Sequence, residues 1–299
     1  MGLTWKQAIN DFSNYLKIEK SLSPNSVSAY TRDVKKLETF CEEQKNGLLP
    51  LYITHKDMED FILWYGENND NARTQARMLS GIKGFYRYLV IEGETDKNPT
   101  LLIESPKIGF KLPQVLSLEE ILALMNAIDL STPEGHRNKA IIEVLYGCGL
   151  RVSELINLQL TDIHKEEGFV IVTGKGDKQR LVPIGQQALK ALSLYYVTRN
   201  QLKTIHDKNI VFLNRYGRKM TRAMIFEIIK RLAKEINLEK PISPHTFRHS
   251  FATHLIEGGA DLRAVQEMLG HESITTTEIY THIDRTFLRD TLIMFHPRG

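Results

Sequence analysis

Two cysteines in 299 residues, Cys41 and Cys148, are too few and too far apart for a disulfide framework or a thiolate metal site. They read as buried thiols of a reducing compartment. No apolar run approaches the roughly 18 residues of a bilayer span. No basic-then-apolar leader opens the chain, and Lys6 breaks the N-terminal myristoylation pattern. A soluble, cytoplasmic protein without membrane insertion is therefore expected. The phosphate-cradling GxxxxGK[ST] pattern is missing, which excludes a P-loop NTPase. His245 and His249 stand four apart like a zinc pair, but HTFRH lacks the glutamate of HExxH, and Arg248 between them would repel a cation. No metal is expected. A large excess of either charge is also missing, with 39 Lys and Arg against 36 Asp and Glu. The near balance conceals an asymmetry: 13 basic against 15 acidic residues up to position 106, and 26 against 21 beyond it. The mildly basic second half suits a polyanionic partner.

Strand patterns are scarce as well, so the chain is read as mainly α. Apolar residues at helical spacing mark Thr4 to Glu19, then Ser23-Pro24 to about Glu42. Thr54 caps a third helix, and a fourth runs from about Asn71 to Ile91. On the fourth, at about 100° per residue, Met78, Leu79, Ile82, Phe85, Tyr86 and Leu89 gather on one side. Arg73, Arg77, Lys83 and Arg87 gather on the other, with Gly84 among them and Gly81 at the edge. A solvated outer face is the plain reading. Two glycines inside a helix cost about 1 kcal/mol each relative to alanine, however, so the face also reads as one that a phosphate backbone approaches closely. Residues 1–94 form a compact four-helix domain on this reading. The period then dissolves across 95–113, with Pro99, Pro106, Gly109 and Pro113, giving an extended linker to a second domain at 114–299.

In that second domain Ser117 and Glu120 make a capping box, and His136 to Tyr146 makes a further helix broken by Gly147 and Gly149. Arg151 opens the next helix, against the macrodipole, which prefers an anion there. The conflict resolves if the site holds an anion, with Glu154 one turn on either to hold Arg151 in place or simply to neutralise it. Phe169 to Thr173 and Arg180 to Ile184 flank the turn GKGDKQ as a hairpin, with Lys175 near its tip as a solubilising group or a swinging general acid. Leu189 to Asn200 and Thr221 to Ile236 are helical, and Ile210 to Leu213 is a short strand. Arg215, Arg218, Lys219 and Arg222 form a basic cluster suited to phosphate contact.

The stretch SPHTFRHSFATHLIEGGADLRAVQEMLGHESITTTEIYTH gathers the chemistry. Ser243 and Pro244 open a helix that buries Phe247, Phe251 and Leu255, and His245 and Arg248 lie one turn apart on a neighbouring face. Asp261 caps a second helix that Gly270 stops, and His271 follows. Ser273 caps a third that carries Tyr280. An arginine fork suits phosphate oxygens, histidines move protons near neutrality, and a tyrosine can serve as a covalent nucleophile. His249, His254, His282 and His296 read as packing or surface residues.

Arg151, Lys175, HTFRH, LGH and the late tyrosine, in that order, resemble the tyrosine recombinase (phage integrase) family. GLRVSEL, TGKGDKQRLVPIG and the terminal HPR look closest to the bacterial Xer recombinases, XerD more than XerC. Glu278 stands where the family pattern has glutamine. The resemblance implies a helical core-binding, SAM-like domain and a catalytic domain that clamp around double-stranded DNA. It makes Arg151 and Arg248 the grip on the scissile phosphate, Lys175 the acid for the leaving 5′-hydroxyl, and Tyr280 the nucleophile. His245 would assist proton transfer, and His271 would hydrogen-bond the phosphate. It further implies no cofactor, ATP or metal. A four-subunit synapse with a partner recombinase, a septal DNA translocase and resolution of chromosome or plasmid dimers complete the expectation. Alternatives are a mobile-element integrase, a type IB topoisomerase-like enzyme, and a non-catalytic DNA-binding architectural protein. Leu288, Leu292 and Phe295 are expected as an exposed apolar stripe that docks on a neighbouring subunit.

Overall fold

The computed structural model describes residues 2–67, 71–106, 114–174, 177–270 and 285–299. They divide into two compact units, Met1–Lys111 and Leu112–Gly299. Four helices build the first: α1 (Trp5–Ile18), α2 (Pro24–Gln44), α3 (His55–Glu67) and α4 (Ala72–Ile91). Each starts where a short polar side chain can accept an orphan N–H. Thr4 and Gln7 form a capping box, Ser23 caps ahead of Pro24, Thr54 and Asp57 bond each other's backbone, and Asn71 accepts from Arg73 and Thr74. The helices close on Phe12, Phe40, Phe61, Phe85 and Tyr86, all fully buried, each worth roughly 1.5–3 kcal/mol.

Two expectations fail in this unit. The close approach at Gly81 is to α2, because a Cβ there would lie 2.9 Å from Asp33 Oδ2. That glycine is explained by helix packing and says nothing of a phosphate. The first part of the expected linker, 95–106, is also no free spacer. Ile103 is buried in the helical core, Thr100 is buried, and the carbonyls of Pro99 and Ile103 bond His55 Nδ1 and Lys83 Nζ. Its prolines break the helical period without freeing the chain, since one apolar side chain and two carbonyls suffice to tie it down.

The second unit comprises α5 (Leu118–Asn126), α6 (Pro133–Gly147), α7 (Val152–Asn157), the strands β1 (Ile163–His164), β2 (Phe169–Thr173) and β3 (Gln179–Pro183), then α8 (Gln186–Asn200), α9 (Arg222–Glu235), α10 (Pro244–Gly258), α11 (Leu262–Leu269) and α12 (Arg285–Phe295). Nearly every residue of α6 from Asn138 to Gly147 is buried, because α8 and α10 pack against it. A helix covered so completely has no polar stripe to report it. The sheet is antiparallel in the order β1-β2-β3, with Val170 opposite Ile163 and Val182. The expected hairpin is β2-β3, and β1 is an addition. Ile210 to Leu213 is no strand; it makes two isolated bridges, Gln159 to Ile210 and Leu213 to Lys219.

The apolar stripe of α12 is a correction. Leu288 and Leu292 are buried in their own unit and Phe295 packs partly on the same core, against α10, α11 and β3. The His296 ring then packs, tilted, against Tyr146 and Phe251 at 4.6 and 5.2 Å between centroids, and Arg298 forks onto buried Glu143. The apolar residues left exposed on α12 are Phe287, Ile293 and Met294.

Candidate active site

At Gly149 the chain turns with φ +59°, and a Cβ there would lie 2.5 Å from the Phe251 ring. Only glycine lets the turn run this close to α10. The turn delivers Arg151 to the N-cap position of α7, where no short polar side chain is present to cap. Glu154 does that work from three residues on. Its Oε2 accepts the Arg151 backbone N–H at 2.7 Å, and its Oε1 accepts Arg151 Nη1 at 2.8 Å. Glu154 therefore meets Arg151 through both of its oxygens.

Two more arginines reach the same carboxylate. Arg180 of β3 forks onto it, Nη1 to Oε1 and Nη2 to Oε2, both at 2.9 Å. Arg248 of α10 places Nη1 3.8 Å from Oε2 while donating to the Gly149 carbonyl at 2.8 Å. Glu154 thus accepts four hydrogen bonds, its full lone-pair capacity. Burial pushes the Glu154 carboxyl up, yet the Arg180 fork and the Arg151 bonds outweigh it and hold the group below the ordinary carboxylate value.

The end of α11 uses the same three guanidiniums. A helix leaves its last carbonyls without intrahelical partners, and here three in succession are taken. Met268 O accepts Arg180 Nε at 2.8 Å, Leu269 O accepts Arg248 Nη2, and Gly270 O lies 3.5 Å from Arg151 Nη2, at the edge of hydrogen-bond distance. The negative end of the helix suits this cationic set. Gly270, left-handed at φ +63°, ends the helix here.

Three guanidiniums around one carboxylate leave a surplus of positive charge. Arg248 is buried, and desolvation first, then Arg151, brings its guanidinium down to about 10. An incoming anion would relieve that penalty. Arg151 is the outward member, its side chain 36% exposed against 8% for Arg248 and 11% for Arg180. His245 lies on the surface one turn before Arg248; partial desolvation, then the neighbouring His249, Arg248 and Arg151, lower its imidazole below the usual value. Near neutrality such a ring is free of its proton and can take one.

Lys175, His271 and Tyr280 lie outside the described residues. The ends from which they are carried are described: β2 and β3 on either side of Lys175, and Gly270 immediately before His271.

The expected DNA-facing residues divide. Arg73 and Arg87 are exposed on α4. Arg77 is engaged, its Nη1 and Nη2 on the two oxygens of buried Asp33 at 2.6 and 2.7 Å, and Lys83 Nζ is held by Ile103 O at 2.6 Å. Arg215, Arg218, Lys219 and Arg222 are all exposed. Arg215 lies over the Tyr216 ring at 4.8 Å, and Lys219 Nζ bonds Asn157 Oδ1 at 2.8 Å, at the far end of α7 from Arg151.

Arg180 is the site residue that the sequence reading missed. The signal was available: period-two alternation in β3 puts Arg180 on the face of buried Val182, where an arginine must find a partner.

Residues 114–286 match the phage integrase family, and residues 9–93 match the phage integrase N-terminal SAM-like domain. Tyrosine recombinase XerD of Listeria monocytogenes serotype 4b is 42% identical over 293 residues, covering 97% of this chain and 99% of that protein. Tyrosine recombinase XerD of Staphylococcus saprophyticus is 43% identical over 292 residues, with the same coverage. Among solved structures, XerH site-specific recombinase bound to palindromic difH substrate, a post-cleavage complex, superposes with a TM-score of 0.70 at 24% identity. It covers 96% of this chain and 83% of that one. That likeness bears on the fold.

Proposed function

The chain belongs to the phage integrase family, whose tyrosine recombinases break and rejoin DNA, and from that premise we propose a residue-by-residue mechanism and a biological setting. Arg151 and Arg248 grip the scissile phosphate. Tyr280 attacks the phosphorus through its phenolic oxygen, and the bond to the 5′-oxygen breaks. His245 assists in taking the phenolic proton, Lys175 supplies one to the leaving 5′-hydroxyl, and His271 hydrogen-bonds a phosphate oxygen. The product is a 3′-phosphotyrosyl ester that keeps the energy of the broken bond. The freed 5′-hydroxyl attacks the ester to reverse the step, or another strand's 5′-hydroxyl takes its place to form the exchanged phosphodiester, each releasing Tyr280, so the exchange needs neither ATP nor a metal.

The observation that carries the reading is the arginine set on Glu154 and the α11 carbonyls, from which the segment bearing His271 and Tyr280 continues. Attack raises charge on the non-bridging oxygens, and preorganised cations stabilise that charge more than the ground state. Each hydrogen bond to a charged group contributes roughly 1.5–3 kcal/mol, and two arginines make several.

The setting is recombination at a dif-like site that resolves chromosome or plasmid dimers in the cytoplasm. Four subunits act on two duplexes, either one kind or paired with a partner Xer recombinase, under a septal DNA translocase. XerD relatives above 40% identity over nearly the whole chain support this over a mobile-element role. Arg73, Arg87, Arg215, Arg218, Lys219 and Arg222 contact backbone phosphates.

The test is a nicked suicide duplex carrying a candidate dimer-resolution site, incubated without metal, alone and with a partner recombinase. A covalent protein–DNA adduct that Tyr280→Phe abolishes is expected. Tight binding with no adduct under either condition would return the chain to the architectural class.

A further inference from the structure

We propose that Arg180 is a positioning residue for strand cleavage: it fixes Glu154 from one side and the end of α11 from the other, and so aims Arg151 and holds the point in the chain after which His271 and Tyr280 follow. The inference deepens the function proposed above and rests on it.

The Arg151 guanidinium meets the carboxylate through one oxygen, Oε1, and otherwise only approaches Gly270 O at 3.5 Å, so its direction follows chiefly where Oε1 points. A lone glutamate rotates about its last torsion, which is broad. The Arg180 fork removes that freedom by fixing both oxygens at 2.9 Å in one plane. Its third donor, Nε, is occupied by Met268 O at 2.8 Å. Two residues later Gly270 ends α11 against the Arg180 side chain, where a Cβ would lie 2.9 Å from Cδ. One side chain therefore joins α7, which presents Arg151, to α11, which leads to His271 and Tyr280. It is rooted in β3, the strand that follows Lys175 in the chain.

Arg180 is not placed to grip phosphate itself. Nε, Nη1 and Nη2 each already serve a partner inside the protein. Its action runs through Glu154. The charged groups facing that carboxylate are Arg151 from α7, Arg180 from β3 and Arg248 from α10. Of these Arg180 contributes most to opposing the cost of burying the carboxylate.

The experiment uses the full chain and the suicide duplex above, with Tyr280→Phe as the control without cleavage. Arg180→Lys keeps the charge and loses the fork. Adduct formation at saturating protein should slow by about 10- to 100-fold, the range expected for coupled neighbours. The Kd for the duplex should stay within about threefold, and its salt dependence should not change, because no phosphate contact is lost. The acid limb of the cleavage-rate profile should move to higher pH, since Glu154 protonates more readily without the fork. Arg180→Ala combined with Glu154→Gln should cost little more than the worse single change. Should Arg180→Ala fail to fold, Arg180→Lys with Glu154→Gln decides the same question. Cleavage by Arg180→Lys at the unmodified rate overturns the proposal. So do multiplicative losses in the double variant, or a salt slope lowered by about one, which would make Arg180 a phosphate contact. An unmodified protein that forms no adduct instead strikes the function itself, and this inference falls with it.

Discussion

Arg248 donates to the carbonyl of Gly149 at 2.8 Å, and the backbone at Gly149 stands where no side chain fits. The acceptor that aims a buried guanidinium is thus set by packing on Phe251. Gly149→Ala should cost roughly 1–2 kcal/mol for the left-handed backbone and about 1–3 kcal/mol for the overlap with the Phe251 ring. Adduct formation by the folded fraction should fall as well, because the Gly149 carbonyl must move. Urea unfolding and suicide-substrate cleavage of the same preparation check both halves. Unchanged cleavage would mean that Arg248 does not need this acceptor.

Arg248 itself spans two carbonyls, Gly149 O and Leu269 O. A lysine there has one compact ammonium and cannot serve both while facing a phosphate. Arg248→Lys should therefore behave almost like Arg248→Ala, with cleavage down about 100- to 10,000-fold, as expected for two charge-assisted bonds lost at about 1.5–3 kcal/mol each. Duplex binding should persist in both, measured by a mobility shift at fixed salt. Recovery to within tenfold by lysine would show that charge alone suffices.

Much of this was legible beforehand because capping residues and helical stripes are local. Thr4, Ser23, Thr54, Asn71 and Ser117 each mark a helix start that the structure places within a residue. What escaped depends on long-range partners. Helix α6 begins at Pro133, earlier than its apolar run suggests, because Thr132 caps it, and burial on all sides erases its period. Arg77 looks like its neighbours Arg73 and Arg87 on a helical wheel; only Asp33, 44 residues away in sequence, separates them. Likewise Leu288 and Leu292 look like an interface until α10 is in place to cover them. The arginines of the site were visible as residue types, whereas their convergence on Glu154 and the α11 carbonyls was not.

The split on α4 gives a test of its own. Asp33 is 1% exposed, and without Arg77 the one ion-pair partner it keeps among the described residues is Lys36, at 3.5 Å. Arg77→Ala should destabilise the first unit by about 3 kcal/mol, the typical cost of stranding a buried charge. Arg87→Ala should leave stability within about 0.5 kcal/mol and lower the slope of log K against log salt by about 0.9, one phosphate's worth. Chemical denaturation and a salt titration on the candidate duplex separate the two. If Arg77→Ala instead lowers the slope with stability intact, the Asp33 pair opens on DNA and Arg77 rejoins the contact face.

His296 supplies a pH prediction whose sign follows from its surroundings. Its ring lies between Tyr146 and Phe251, Nδ1 accepts the Arg298 backbone N–H at 3.2 Å, and Nε2 has no partner among the described residues. Burial first, then the nearby His254 and Arg298, pushes its pKa down to about 3 from an ordinary 6.5. Between those values the unfolded chain binds a proton that the folded chain refuses, so stability falls as the solution is acidified. The contribution is flat above about 6.5 and declines below it by up to about 1.36 kcal/mol per pH unit. Glu143, the nearby carboxylate of this region, is already paired with Arg298. His296→Phe keeps an aromatic ring between Tyr146 and Phe251 and cannot be protonated. Urea midpoints at pH 7.5, 6 and 5 should converge for the two proteins as His296 becomes costly, with the variant losing less on acidification by about 1 kcal/mol per unit below pH 6. Parallel lines would mean that the ring escapes to solvent when protonated, and that the tail from His296 to Arg298 opens at little cost.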